Sequence, residues 1–344
     1  MGRPLVFLLG TQRSGTTWLA NIFDSHPACL HFYEPFAPAY RLFPYFPGEF
    51  QWLAPPAPAL AGRLRADLPR LVSYRSRLFD PVHATRRQFE LEARLMAKLE
   101  TAYRRLHLTP LRFAAQFNLL HLNRLGQKPV AYFEKGEIEV AAIKDVRLYF
   151  KATFLADALP DARFIHVVRH PAAVVSSMDH QLKQGRLIEI AAHIDRFVPE
   201  IRAQEPLARY QPVLVRVRPG HRLDALCAYW RVANEELERQ LTALPARALP
   251  LVYEDLATDP LARVTAMFAW SGLAMSASTD AYVRASSTSR TDRRTVLDTN
   301  RVSATYYRDW VSKVSPELLA SVERVCGDSP LMARFAPFYD DAGR

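Results

Sequence analysis

The sequence predicts an α/β fold in which a central parallel sheet lies between layers of helices. Three observations predict it. Four short apolar runs, at residues 5–9, 140–143, 163–168 and 249–253, each stop at a glycine or at charged residues. Segments with helical spacing separate the later runs. The first run feeds a loop bounded by Gly10 and Gly15, then an apolar stretch that reads as a helix start. Strands buried on both faces read as near-continuous apolar runs, and the carboxyl ends of parallel strands open onto a ligand crevice.

The elements follow in order. Leu5 to Leu9 is a strand by its unbroken apolar character, and the small, polar loop after it ends the run. Residues 36–58 are rich in proline and aromatics without a lasting period. They read as an extended loop, because proline removes donors and interrupts helices. Residues 86–106 form an amphipathic pattern carried by Phe89, Leu91, Leu95, Leu99 and Tyr103. A second helix is expected over 113–125, capped by Gly126. Helical patterns at 149–159, 172–183 and 223–244 then alternate with the remaining strands, as in a doubly wound sheet. From Ala281 the chain is polar and arginine-rich until a last helix near 316–325. With no repeat and an even composition, the 344 residues read as one domain with a largely helical insertion at roughly 36–125.

A net charge of +10 and a pI near 9.6 favour an anionic ligand or partner. Nucleotide, acidic polysaccharide, nucleic acid and membrane surface all satisfy that charge. No basic and aromatic ribbon of a nucleic-acid module is visible, so no nucleic-acid partner is expected. No apolar run reaches the ~18 residues needed to span a bilayer, and the first strand begins too early for a signal peptide. Cys29, Cys227 and Cys326 are scattered and odd in number, which favours a reducing compartment, and the expected address is cytoplasmic. Metal-site spacing of histidine and cysteine is lacking, so no metal is expected.

The residues from Gly10 to Trp18, Gly-Thr-Gln-Arg-Ser-Gly-Thr-Thr-Trp, carry the first chemical signal. A glycine-bounded loop between strand and helix turns backbone N–H groups toward an anion, and its small residues allow close approach. This is the layout of a P-loop-type three-layer sandwich. A Walker A loop reads G-x-x-x-x-G-K-[ST]. Here Thr16 stands in the lysine's place and the nearest cation is Arg13. The loop therefore suits a phosphorylated nucleotide other than ATP. The alternative is a nucleotide kinase or hydrolase lacking the Walker lysine.

The second signal is Arg169-His-Pro-Ala-Ala-Val-Val-Ser-Ser177. Pro171 suits the first helical position, where its missing N–H costs nothing. Ser177, eight residues beyond Arg169, falls about two turns into that helix by the ~3.6-residue repeat. A guanidinium and a hydroxyl so placed can hold one phosphate, the arginine bidentately. The alternative is an arginine at a sheet edge and a serine on a solvated face.

The ordered pair of motifs resembles the sulfotransferases that use 3′-phosphoadenosine-5′-phosphosulfate (PAPS). The resemblance covers roughly residues 4–35 and 140–260. It implies that Gln12, Arg13, Ser14, Gly15, Thr16 and Thr17 hold the 5′-phosphosulfate, and that Arg169 and Ser177 hold the 3′-phosphate. Trp18 falls where a tryptophan stacks on adenine in cytosolic members. Tyr253, in Leu-Val-Tyr-Glu-Asp-Leu, matches a tyrosine beside the nucleotide. Read without the resemblance, both are core aromatics. PAPS is then the co-substrate and PAP the product. The late basic residues Arg290, Arg293 and Arg294 resemble a loop over the 3′-phosphate, without a residue-by-residue match.

In-line sulfuryl transfer builds negative charge on the bridging oxygen of the leaving phosphate, by analogy with phosphoryl transfer. Cations aimed there stabilise the transition state. Arg13 and the strand-end Lys144, in Ile-Lys-Asp-Val-Arg, are the candidates, although Lys144 also suits a surface ion pair with Asp145 or Glu139. Aryl and steroid members place a histidine base two residues after that lysine, where this chain has Val146. Carbohydrate and protein-tyrosine members place a glutamate near the first strand–helix unit, often as Glu-Pro, and Glu34-Pro35 matches. Glu34 sits among Phe32, Tyr33 and Phe36, and partial desolvation there is expected to raise its pKa toward that of a useful base. The other reading is a carboxylate paired with an arginine to anchor the loop. The catalytic set is therefore Glu34, Arg13 and Lys144. The acceptor is a carbohydrate, glycolipid or related alcohol, with its specificity encoded in the insertion.

Overall fold

A computed structural model describes residues 4–37, 43–78, 136–184, 190–288 and 302–339. Within them five strands, β1 (Leu5–Leu9), β2 (Cys29–Tyr33), β3 (Val140–Asp145), β4 (Arg163–Val168) and β5 (Ala248–Val252), form one sheet. Its order is β2-β3-β1-β4-β5. Every neighbouring pair is parallel. The α-helices of six residues or more are α1 (Thr16–Ser25), α2 (Pro58–Leu78), α3 (Ala152–Ala158), α4 (Pro171–Lys183) and α5 (Ile190–Arg202). They continue with α6 (Arg222–Thr242), α7 (Tyr253–Thr258), α8 (Pro260–Ser271), α9 (Ala277–Thr288) and α10 (Pro316–Cys326).

The strand period sorts the core into two layers. Leu5, Phe7 and Leu9 join Ile143 and Phe164 on the face covered by α2 to α6 and α10. Val6 and Leu8 join Ala142, Ile165 and Val167 on the face covered by α1 and α7 to α9. Successive side chains of a strand point to opposite faces, so an unbroken apolar run serves both layers. Phe7 stacks on Phe164 at 5.4 Å between ring centroids. Burying each such side chain contributes roughly 1.5–3 kcal/mol. The expected three-layer α/β sandwich is the architecture found.

Several boundaries differ from the sequence reading, among them strand β3, which runs on past Ile143 through Lys144 to Asp145. The last strand ends at Val252, and Tyr253 opens α7. Helix α3 begins at Ala152 rather than 149, because Tyr149 and Phe150 are buried in the turn before it. The polar stretch from Ala281 is the body of α9, whose buried side chains include Thr279, Ser286 and Ser287 beside Tyr282 and Val283. Small hydroxyls fill that stripe where the pattern demanded apolar residues. The helices expected at 86–106 and 113–125, and Arg290, Arg293 and Arg294, lie outside the described residues.

Candidate active site

Strand β1 lies between β3 and β4. The chain leaves β1 toward β2 on one side and reaches β4 on the other, so the carboxyl end of β1 is the switch point of the sheet. Ligands of open α/β sheets bind at such points. The register sets Leu9 beside Asp145 and His166. Tyr33 pairs with Lys144. The 10–15 loop, Glu34, Lys144 and Arg169 therefore leave the sheet along one edge.

The loop is shaped by two left-handed residues, Arg13 at φ 69° and Gly15 at φ 98°. A Cβ on Gly15 would come within 2.3 Å of the Tyr253 ring, and one on Gly10 within 2.5 Å of the Val167 carbonyl oxygen. Both glycines are needed for close approach, and Gly15 also for its backbone conformation. Ser14 Oγ donates to the Thr11 carbonyl at 2.7 Å and closes the turn. Gly15 caps α1 without any side-chain hydrogen bond to the first helical turn. Such a helix start attracts an anion through its N–H groups and dipole. Thr16 is buried and Thr17 half-buried behind it.

The two motifs meet. Arg13 Nε donates to Ser177 Oγ at 2.9 Å. Arg169 Nη1 donates to the Arg13 carbonyl at 3.4 Å. The Arg169 guanidinium lies over the Tyr253 ring at 4.4 Å, with Tyr306 at 5.9 Å. Trp230 Nε1 fixes the Arg169 carbonyl at 2.9 Å. His170 caps α4 by accepting from the Ala172 N–H, and Pro171 takes the first helical position as the sequence predicts. Burial draws the Arg169 guanidinium down in pKa, but Tyr253 and Glu254 beside it outweigh that and hold it above its ordinary value. Trp18 is buried, donates from Nε1 to Ser286 Oγ at 3.0 Å, and sets its edge against Tyr253. Tyr253 is thereby packed against Gly15, Trp18 and Arg169.

Thr11 Oγ1, Gln12 Oε1 and Arg169 Nε are buried polar atoms with no hydrogen-bond partner among the described residues. Unpaired buried polar atoms are rare in native proteins and call for a partner. Thr11 Oγ1 and Arg169 Nε can donate to a phosphate, and their position in an uncapped, glycine-lined cradle beside Arg13 fits a phosphate-bearing nucleotide, whereas Gln12 Oε1 only accepts and calls for a donor.

Glu34 leaves β2 in a left-handed conformation, φ 47°. Its N–H donates to the Lys144 carbonyl at 2.6 Å. Its carboxylate is held on both oxygens: Lys144 Nζ donates to Oε1, and Arg147 Nη1 donates to Oε2 at 2.7 Å. All three residues are buried. Desolvation pushes the Glu34 carboxyl up, but Lys144 and Arg147 outweigh it and bring the pKa down to about 2. This corrects the expectation of a raised value: two cations overcome the apolar surroundings. Lys144 is likewise a buried partner of Glu34 rather than a surface partner of Asp145 or Glu139. Asp145 accepts from the Phe36 and Arg147 N–H groups, each at 3.0 Å, and burial pushes it up to about 6.

Sequence reasoning missed Arg147, Glu49, Tyr149 and Lys151. Tyr149 donates to Glu49 Oε1 at 3.0 Å, and Lys151 Nζ donates to the Glu49 carbonyl at 2.9 Å. Burial pushes Glu49 up to about 7 and Lys151 down to about 8. Arg147 and Lys151 follow Lys144 at intervals of three and four in a stretch whose only other charged residue is Asp145, and that density of cations was the available signal. Glu49 gave none, because it lies in an aperiodic proline-aromatic segment. No cluster of histidine, cysteine, aspartate or glutamate suited to a metal occurs among the described residues, and no helix there is long and apolar enough to cross a membrane.

Comparison with known proteins agrees with the motif pair. Carbohydrate sulfotransferase 3 of Mus musculus is 23% identical over 194 residues, 56% of this chain and 38% of that protein. The same protein of Rattus norvegicus matches to the same extent. The chain thus spans about 38% of the length of these curated relatives. Among solved structures, the sulfotransferase domain from the curacin biosynthetic pathway has 13% identity and a TM-score of 0.43, covering 94% of this chain and 97% of that one. A sulfotransferase from Alicyclobacillus acidocaldarius has 17% identity and a TM-score of 0.37, covering 94% and 95%. The model of the sulfotransferase family matches residues 4–211, a span that holds the loop, Glu34, Lys144 and the Arg169–Ser177 pair. More than half of the chain is matched, and the chain belongs to the sulfotransferase family.

Proposed function

We propose that the chain moves a sulfuryl group from PAPS to a hydroxyl of a carbohydrate, glycolipid or related alcohol. The observation that carries this reading is the contact between the motifs, Arg13 to Ser177 at 2.9 Å and Arg169 to the Arg13 carbonyl at 3.4 Å. It brings two arginines to an uncapped helix start, which supports a nucleotide phosphorylated at both ends of its ribose. The curated relatives, both named carbohydrate sulfotransferase 3, support the acceptor class. Gln12 to Thr17 hold the 5′ end, Arg169 and Ser177 the 3′-phosphate, and Trp18 and Tyr253 back the loop from the adenine side. The three cysteines are buried and free, in keeping with a reducing, cytoplasmic setting.

PAPS, when bound, supplies the sulfuryl group and leaves as PAP. Arg13 and Lys144 stabilise charge on the departing phosphate, a preorganised electrostatic contribution. Glu34 takes the acceptor proton at Oε1. Held by Lys144 and Arg147 it is too weak a base, with a pKa near 2. Lys144 is the shared element: an ammonium turned toward the donor phosphate leaves Glu34 with Arg147 alone, and the carboxylate becomes more basic. General-base assistance of this kind contributes roughly 10²- to 10⁴-fold.

The test is a thermal shift with PAP against ATP–Mg²⁺, followed by transfer of labelled sulfate to glycans with wild type and Glu34→Ala. Stabilisation by PAP and not by ATP–Mg²⁺ is expected, with turnover lost in the variant. Preference for ATP–Mg²⁺ would replace this reading with a kinase or hydrolase, and full turnover in the variant would remove Glu34 from the mechanism.

A further inference from the structure

Beside the ion pairs of Glu34 lies a cavity of about 180 Å³, whose lining includes Phe36, Phe43, Phe46, Glu49, Arg147 and Lys151. Arg147 is common to both places: its Nη1 holds Glu34 Oε2, and its side chain also walls the cavity. Phe36 stacks on Phe43 at 4.6 Å and meets Phe46 at 4.7 Å, giving one wall of aromatic faces. Glu49, Arg147 and Lys151 add polar groups to the lining. Glu49 uses Oε1 to accept from Tyr149, while Oε2 makes no hydrogen bond among the described residues. Lys151 spends its ammonium on the Glu49 and Arg147 carbonyls, which pins the 43–50 segment to the start of α3.

We propose that this cavity receives the acceptor, as a single six-membered ring carrying neighbouring hydroxyls, and that Glu49 selects it by accepting a hydrogen bond from a hydroxyl beside the reacting one. The inference rests on the sulfuryl-transfer reading and adds where the acceptor sits and what it must carry. Size supports it, since a cavity of about 150 Å³ is known to take one benzene ring. Chemistry supports it as well. Pyranose rings present C–H faces to aromatic side chains, and hydroxyls donate to carboxylate oxygens such as Glu49 Oε2. Arg147 lines the cavity and holds Glu34 Oε2, whereas Glu34 itself is not in the lining, so the reacting hydroxyl has to project from the cavity past Arg147 to meet Glu34.

The groups facing Glu49 are Arg147, Tyr149, Lys151 and Asp145, with Tyr229 behind them. Burial sets its carboxyl near 7 against the pull of Arg147 and Lys151, so the hydrogen-bond-accepting form grows as pH rises through neutrality. The experiment compares wild type with Glu49→Gln, which keeps the shape and an oxygen for Tyr149. Phe46→Ala is the second variant. Each is first titrated with PAP by thermal shift, then, as the PAP complex, with methyl β-D-glucopyranoside and with cyclohexanol by calorimetry, at pH 6 and pH 8. The PAP shift should be the same in all three proteins. In Glu49→Gln glucoside binding should weaken at least about 10-fold, the order expected for a hydrogen bond to a charged group. Its pH dependence should vanish and cyclohexanol binding should stay within about twofold. Phe46→Ala should weaken both rings. Equal effects on the two rings in Glu49→Gln, or no glucoside binding by the wild-type PAP complex, overturns the proposal while PAP binding stands. A wild type that PAP does not stabilise overturns the sulfuryl-transfer reading, and this inference with it.

Discussion

Replacing Glu34 by glutamine removes a carboxylate that pairs with both Lys144 and Arg147, which are 2% and 4% exposed. The variant sets an amide against two buried cations, with the Asp145 carboxyl 3.9 Å from Arg147. Breaking a buried pair by deleting one partner destabilises by roughly 3–5 kcal/mol. The pKa of Glu34 gives an independent figure. A fall from 4.5 to about 2, at about 1.36 kcal/mol per pH unit, corresponds to about 3 kcal/mol. The sign follows from the depressed value: this stabilisation is complete above pH 4.5 and is lost as pH falls from 4.5 toward 2. About 2 kcal/mol of it should be gone at pH 3. Asp145 runs the other way, since burial raises it from 3.8 to about 6 and its contribution is lost as pH rises through that range. The Glu34 charge is one cause of that rise, so Asp145 falls back toward its ordinary value in the variant and its opposing contribution shrinks there. The assay is urea unfolding of both proteins at pH 7, 5 and 3. The gap should be about 3–5 kcal/mol at pH 7 and should shrink by about 2 kcal/mol at pH 3. A gap below about 1 kcal/mol at pH 7, or one that does not change with pH, refutes the ion-pair account, because exposed pairs behave in that way.

Two further substitutions test the nucleotide cradle. Arg169→Lys keeps the charge but loses the planar fork, so PAP should bind about 10- to 100-fold more weakly, while AMP, which lacks the 3′-phosphate, should bind as before. Thermal-shift titrations with both nucleotides read this, and an equal loss for PAP and AMP would mean that Arg169 only supports the Arg13 carbonyl. Gly15→Ala places a Cβ about 2.3 Å from the Tyr253 ring at a φ of 98°. It should lower stability by about 2 kcal/mol or more and abolish the PAP shift. Wild-type stability in denaturant would show that the loop has slack there.

Much of the fold was legible. The run Leu5–Leu9 and the strand Arg163–Val168 have the bounds read from sequence, because central parallel strands are apolar on both faces and need no partner to declare themselves. Pro171 at the first helical position, and the loop with Gly15, follow from local backbone chemistry, whereas the His170 cap was not read. Helix α9 was not legible, since its buried stripe includes threonine and serine whose burial depends on what packs over them. The site was legible in its members and not in its electrostatics. Glu34, Lys144, Arg169 and Ser177 are named by motif, but a pKa belongs to the surroundings, and Arg147 approaches Glu34 only because β2 lies beside β3.

By itself the sequence determined the alternation of strand and helix, the glycine loop and the residues at each strand end, all properties carried by a few neighbours along the chain. The tertiary structure alone decided that Arg13 reaches Ser177, that two cations hold Glu34, and that Glu49 opens into a cavity beside them. Those depend on which strands adjoin and which charges share a dry space. Distance in the fold sets such interactions, and separation along the chain does not reveal it.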